Sequence, residues 1–463
     1  MDNPPEPDRR QRNFLFGVVV IGMLALLLRE YFILVTHVEA PIRGDIREYI
    51  DYAWNLLHRH TFSNAQPGSA VVVPDAYRGP GYPLFLAASM LAGGAGDRWY
   101  FIALHAQALL GTITVLMGIL LARHWLARGW SLAAGALMAV WPHHIAATGA
   151  LLSEVVFGFA LMLALLLTAQ AGRQRSTGWA IAAGIAWGCA WLVNPITLLF
   201  PLLVALVFWR AGIGRQGAYL LVIALMFAGV WAGRNATLPP QSDTPGRATI
   251  NFVQGSWPQF LRALNDARLT GPTASPIPRQ IVQAVDEETR LFAKDPQAGL
   301  HSMADRMALD PGYYARWYAF GKPWLLWDWD IRVGTGDVYY HAVTHSPLET
   351  HPLLHNMKAT LRALNPAIFL LSVLAAAGII GHGLRRRASL ALAPLLVALF
   401  FVYVTLMHTA LQAEPRYAIP YRPMQLLLAV TTLAVASGWL RGRIPAKKHF
   451  LLPKQEAQRV GLK

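Results

Sequence analysis

Residues 178–210 read "GWAIAAGIAWGCAWLVNPITLLFPLLVALVFWR". These thirty-three residues contain no acid, and Arg210 is their only base. As one helix they would extend about 50 Å, too far for a single crossing of a ~30 Å hydrocarbon core. Asn194-Pro195 divides the run near its middle, where proline has no N–H to continue a helical ladder. Arg173 and Arg175 precede the run, and Arg210 and Arg215 close it. The stretch therefore reads as a hairpin of two membrane-crossing helices, 178–193 and 195–209. Its basic flanks lie on one side and its tip on the other.

The rest of the chain follows the same rule. Hydrophobic residues make up 55% of 463 and charged residues 14%, against about a quarter charged in a water-soluble domain. Apolar runs of membrane-crossing length recur at 14–36, 99–122, 130–147, 150–170, 217–233, 361–383, 389–408 and 418–440. With the hairpin they make about ten transmembrane helices and predict an all-α polytopic membrane protein. The run 81–93 has only thirteen residues. Counting it as a span would carry Arg123 and Arg128 to the wrong side, so it reads as a juxtamembrane helix at the outer surface.

The net charge of +15 suggests a nucleic-acid partner until its distribution is followed. Arg123, Arg128, Arg173, Arg175, Arg210, Arg215 and Arg385, Arg386, Arg387 occupy short loops without an acid. By contrast, residues 234–360 hold twelve basic and twelve acidic residues. This asymmetry is a topology signal, and no nucleic-acid partner is expected. Arg9, Arg10 and Arg12 put the N-terminus in the cytoplasm. A cleaved signal ending at "THVEA" is the rival for the first run, but the run is too long for one. Arg29, near its outer end, is placed to snorkel or pair.

The chain thus divides into a transmembrane core 1–233 with a first outer loop 37–97, an outer segment 234–360, C-terminal spans 361–440 and a basic cytoplasmic tail 441–463. The segment 234–360 is expected to be folded and mostly helical, with amphipathic stretches near 259–269 and 276–294. The lone Cys189 cannot form an intrachain disulfide.

Polar residues gather on the outer side. "GDIREYIDYAWNLL" (44–57) puts Tyr49, Ala53, Leu56 and Leu57 near one helical face, and Asp45, Glu48, Asp51 and Arg59 toward others. "AYRGPGYPLF" (76–85) brings Arg78 and Tyr82. "WPHHIAATGALLSE" (141–154) brings His143, His144 and Glu154. "VWAGRN" (230–235) brings Arg234 and Asn235, and "AEPRYAIP" (413–420) brings Glu414, Arg416 and Tyr417. Ionisable residues at membrane depth are costly and tend to be paired or functional. Salt bridges that lock the bundle are the plain alternative for any one motif.

Taken in order, "GDIREYIDYAWNLL", "RGPGYPLFLA", "SE", "WAGRN" and "EPRYAIP" resemble the GT-C glycosyltransferases, which use sugars on polyprenyl phosphates. The nearest group is that of protein O-mannosyltransferases and the aminoarabinose transferase of lipid A. The resemblance spans 14–440. It implies that Asp45 is the general base and that Arg78, Arg234 and Arg416 hold the donor phosphate. Glu48, Tyr82, His143, His144, Glu154, Asn235, Glu414 and Tyr417 fall in positions that bind sugar or acceptor or support those that do. The implied reaction is inverting transfer to a lipid, glycan or protein acceptor at the periplasmic face of a bacterial inner (plasma) membrane, with both termini cytoplasmic.

The sequence departs from the family pattern at Ile46, where some relatives carry a second acid, at Gly79, and at Asn194. No cofactor is called for; a divalent ion is left open, without a diagnostic motif. His341, His345, His351 and His355 have two zinc-like spacings, but Pro347 and Pro352 interrupt a continuous helix, and polar loop histidines are the simpler reading. A transporter or flippase of lipid-linked glycan is the rival function, and a non-catalytic binder of lipid-linked sugar is a third.

Overall fold

A computed structural model describes residues 9–94, 96–238, 245–267, 275–385 and 391–440. The expected basic tail 441–463 lies outside them, as do Arg386 and Arg387. The protein is an all-α polytopic membrane protein. Among the described residues, seven helices are long and apolar enough to cross a membrane: Arg9–Val35, Arg98–Ala122, Glu154–Gln174, Gly214–Ala236, Pro352–Gly383, Leu392–Ala410 and Pro415–Leu440.

The other three expected spans are shorter helices, and each has a local reason to stop. Thr177–Val193 ends at Asn194, whose extended backbone (φ −146°) and side chain, accepting from Ile196 N, open a new turn at Pro195. The partner helix of this hairpin is Phe200–Arg210. The run expected at 130–147 instead forms Arg128–Ala139 and then Pro142–Ala146. Pro142 supplies no N–H and disfavours helical backbone at Trp141.

Tight helix contacts depend on small residues. A Cβ on Gly184 would lie 2.7 Å from Leu220 O, and one on Gly188 would lie 2.3 Å from the Phe227 ring. This four-residue spacing lets Thr177–Val193 seat directly on Gly214–Ala236. Arg29 neither snorkels nor finds an acid. It is 1% exposed and donates to Ala25 O (2.9 Å) and Ala139 O (3.3 Å), with its side chain lying over Gly111.

Within 234–360, helices form near both amphipathic stretches read from the sequence. Phe260–Asp266 and Ile277–Lys294 pack with Arg247–Gly255 and Pro296–Ala308 around Val253, Phe260, Val285 and Met303. A partly buried pair, Arg306 with Glu288 at 2.9 Å, stands beside this core. Gly255 fixes the unit to the membrane bundle: a Cβ there would lie 2.0 Å from Leu411 O. Gly255→Ala is expected to cost about 1–3 kcal/mol through overpacking. Thermal unfolding in detergent checks this, and an unchanged Tm would show that the helix shifts off Leu411 freely.

Farther along, Val343–Thr344 pairs antiparallel with His37–Val38, which directly follow the Arg9–Val35 helix. Lys358 anchors the same region through Asp337 (2.6 Å) and Glu349. The segment 331–346 is thereby held against the C-terminal end of the Arg9–Val35 helix, which sets where Tyr340 and His341 sit.

Candidate active site

The site begins with the Asp45–Arg59 helix. Gly44, at φ 56°, turns the chain into it, and Asp45 and Glu48 occupy its first turn, where the helix dipole favours negative charge. Positions 45, 48 and 49 share one face, and Arg78 reads all three. It donates to Asp45 Oδ1 (2.6 Å), Glu48 Oε2 (2.7 Å) and Tyr49 Oη (3.3 Å) while 5% exposed.

The stretch after Arg78 is pressed against the end of the Thr177–Val193 helix. A Cβ on Gly79 would come within 2.6 Å of Leu192 O, so a side chain there would push the two backbones apart. The opposite face of Asp45–Arg59 is not left to solvent. Residues 61–78 fold over it, with Asn55 donating to Ser63 O and Ala65 O and Tyr52 to Asp75. Asp51, which lies off the face of Tyr49 and Ala53, is 5% exposed.

The second guanidinium comes from the far end of the chain. Arg416 donates to Glu154 Oε1 (2.5 Å) and Asp45 Oδ2 (3.1 Å) and lies 4.2 Å from the Tyr340 ring centroid. Glu414 sets it in place. This fully buried carboxylate accepts from the backbone N–H groups of Arg332 (2.6 Å), Val333 (3.1 Å) and Arg416 (2.5 Å). Burial raises its pKa to about 6 even so.

Both Asp45 oxygens are therefore engaged by cations. Burial pushes its pKa up, but the charges of Arg416, Arg78 and Arg247 more than reverse this and hold it well below the usual carboxylate range. Three carboxylates, those of Asp45, Glu48 and Glu154, share two guanidinium groups. The result is a compact, rigid polar cluster that an anionic ligand can enter by exchanging for a carboxylate.

The remaining residues singled out from sequence make their hydrogen bonds elsewhere, although Tyr82 packs edge-on against Tyr49 with ring centroids 4.9 Å apart. Arg234 donates to Asp75 O (2.5 Å), Phe62 O (3.3 Å) and Asn235 Oδ1 (3.1 Å), and lies over Trp231. It braces the 61–78 segment and does not touch Asp45. His143 bonds Trp329 O (2.8 Å) and His144 bonds Ile419 O (3.1 Å). Tyr82 donates to Gln107 (2.8 Å), and Tyr417 to Gln412 (3.0 Å). Among the described residues, no group of three or more His, Cys, Asp or Glu is arranged to hold a metal ion.

Three neighbours of the cluster carried no sequence signal as site residues. Arg247 lies 5.3 Å from the Tyr77 ring centroid and acts on Asp45 through its field. Tyr340 covers Arg416, and Arg43 donates to His341 Nδ1 at 2.8 Å. His341 had drawn attention only through its spacing from His345.

No family model matches this chain, and no curated protein sequence does. Among solved structures it is similar to the oligosaccharyltransferase AglB of Archaeoglobus fulgidus, in complex with an inhibitory peptide and a dolichol-phosphate. That match has 15% identity and a TM-score of 0.47, and covers 93% of this chain and 51% of the archaeal one. The apo form of the archaeal enzyme gives 13% identity, a TM-score of 0.49, and 92% and 51% coverage. ArnT of Cupriavidus metallidurans bound to undecaprenyl phosphate gives 17% identity, a TM-score of 0.37, and 91% and 78% coverage. The chain spans about half the length of the archaeal protein.

Proposed function

We propose that this protein is an integral-membrane glycosyltransferase of the GT-C type, moving a sugar from a polyprenyl phosphate to an acceptor hydroxyl at the non-cytoplasmic face. One observation carries the reading. A single carboxylate, Asp45, is shared by two guanidinium groups that lie 33 and 371 residues away in sequence. The motif order that resembles this enzyme class adds to it.

In the proposed reaction the acceptor oxygen attacks the anomeric carbon as the bond from that carbon to the lipid phosphate breaks. The bonding pair leaves with the phosphate, and the acceptor proton passes to Asp45. Attack opposite the leaving group inverts the centre. Arg78 and Arg416 face the phosphate, since a guanidinium matches two phosphate oxygens and offsets the charge that grows on them. Their turn toward phosphate also activates the base. Each guanidinium drawn away from Asp45 raises its pKa from the depressed resting value toward the ordinary ~3.9, which strengthens it as a proton acceptor.

Arg234 has a supporting part here, because its donors are taken by the carbonyls of Asp75 and Phe62. Arg78→Ala is expected to weaken polyprenyl-phosphate binding by about tenfold or more, as loss of a charged hydrogen-bond pair does. Arg234→Ala should weaken it by only a fewfold. Equilibrium binding of undecaprenyl phosphate to detergent-purified variants checks this. Equal losses would place Arg234 on the phosphate itself.

The reading as a whole is tested with radiolabelled polyprenyl-phosphate sugars and a panel of lipid, glycan and peptide acceptors. Transfer is expected. Movement of labelled lipid across liposomes with no transfer would replace the enzyme by a transporter.

A further inference from the structure

Residues 317–327 read "WYAFGKPWLLW", five aromatic rings with Lys322 as the only charge. Arg316 precedes the stretch, and Asp328, Asp330 and Arg332 follow it. The chain enters through the Pro311–Arg316 helix, makes one π-helical turn at Trp317–Gly321 and ends in the Lys322–Leu326 helix.

One side of this element is packed into the membrane-crossing helices. Lys322, Leu326 and Trp327 are fully buried. Trp327 stacks on Phe401 with ring centroids 4.6 Å apart, and its Nε1 donates to Thr405 Oγ1 at 3.0 Å. Both partners belong to the spanning helix Leu392–Ala410. Trp324 meets Phe369 edge-on, with ring centroids 5.7 Å apart. The Trp327 carbonyl accepts from Asn365 Nδ2 at 2.9 Å and Arg422 Nη1 at 3.1 Å. Asn365 and Phe369 lie four and eight residues inside the apolar run 361–383, about 6 and 12 Å along that helix. Trp324 and Trp327 therefore reach hydrocarbon depth.

The backbone and the one charge both suit that depth. Helical turns satisfy their own N–H and C=O groups, and Trp327 O, where the last turn ends, has two side-chain donors. Backbone that does not span is tolerated in the membrane on that condition. Lys322 lies 4.4 Å from the Tyr318 ring centroid and donates to Leu411 O, the carbonyl just past the Leu392–Ala410 helix. A cation is favoured at that end of a helix dipole, and a buried stem with its head drawn to the boundary is how lysine snorkels.

The other side is bare. Phe320 is 74% exposed and Trp324, one helical turn on, is 47% exposed. The surface continues onto the spanning helix that Trp324 touches, where Leu370 and Leu374 are also exposed. We infer that residues 317–327 dip into the bilayer on the side of Arg416, with Phe320 and Trp324 resting against lipid acyl chains. The occupant of this face is lipid because the face extends one that lipid already covers, at a depth where aromatic rings favour the membrane boundary.

The dip joins two parts of the molecule already described. Trp317 Nε1 donates to Gly255 O at 3.2 Å, which ties the helical unit around Val253 to the membrane-seated turn. On the far side the chain runs to Arg332 and Val333, whose N–H groups hold Glu414 beside Arg416. The inference goes beyond the glycosyltransferase reading and stands without it.

Full-length protein in phosphatidylcholine nanodiscs tests the dip. Cys189→Ser removes the one natural cysteine, and Phe320→Cys then carries the environment-sensitive dye NBD. Leu374→Cys marks a lipid-facing site, and Ala293→Cys, exposed on the Ile277–Lys294 helix, marks a water-facing one. Phe320 is largely exposed, so its replacement opens no core. The expected result is blue-shifted emission from Phe320→Cys, quenched by doxyl-labelled phosphatidylcholine about as strongly as Leu374→Cys and protected from aqueous iodide. Ala293→Cys should show the reverse. Iodide quenching of Phe320→Cys equal to that of Ala293→Cys, with no loss to doxyl lipid, would overturn the inference by placing the edge in water. Protection from both quenchers would overturn it by placing protein there, such as a second copy of the chain. A failed transfer assay leaves either reading of these spectra unchanged.

Discussion

Asp45→Asn is expected to lower turnover by about 10²–10⁴-fold, the usual contribution of a positioned base, while donor affinity stays within a fewfold of wild type. The amide keeps the size of the carboxylate but cannot take the acceptor proton. Arg78 and Arg416, released from their shared anion, remain free to meet phosphate. Single-turnover transfer and equilibrium donor binding separate the two effects, and full turnover in this variant would remove Asp45 as the base.

The pH dependence gives a second check on the same residue. Its pKa in the free protein lies well below the carboxylate range, so kcat/KM should show no acidic limb from Asp45 between pH 5 and 8. In the proposed donor complex the guanidinium groups turn to phosphate. The limb in kcat should then move upward, toward the ordinary carboxylate value of ~3.9. By linkage, the stability that Asp45 contributes in the free protein is present above its unfolded pKa and is lost as pH falls through the depressed folded value.

The largest combined effect is expected at Arg416. Removing its side chain by Arg416→Ala strips Glu154 of its only ion-pair partner among the described residues and Asp45 of one of two. The Arg416 and Glu154 side chains are both 8% exposed. Breaking one side of a buried pair leaves an uncompensated charge and costs about 3–5 kcal/mol. The variant should lose thermal stability by several degrees and lose transfer altogether.

Arg416→Lys should recover much of the stability and little of the activity. One ammonium supplies the charge, but it cannot present the planar fork that reaches Glu154 through Nε and Asp45 through an Nη. Tm and transfer rate measured together decide the matter. Normal activity in the lysine variant would show that charge alone is needed at this position.

Several features of the site were visible in the chain itself. Asp45 and Glu48 fall one helical turn apart in an amphipathic stretch next to a membrane span, and the Arg78 that answers them precedes a rigid Gly-Pro-Gly turn. Both are local patterns, and the geometry joins them at 2.6–2.7 Å. Arg234 read the same way from its motif, yet its guanidinium faces backbone carbonyls of the 61–78 segment. His143 and His144 likewise face backbone carbonyls. A side chain's type and sidedness do not say which of several nearby partners it will meet.

Sequence by itself determined that this chain crosses a membrane as helices and that it breaks at Asn194-Pro195. Transfer of an apolar run into lipid, and loss of a backbone N–H at proline, are set within a few residues of chain. Only the tertiary structure decided that Arg416 joins Asp45 to Glu154. Those partners lie 371 and 262 residues from Arg416. Which buried charge neutralises which depends on how the helices pack and on what water they exclude, and no local pattern records that.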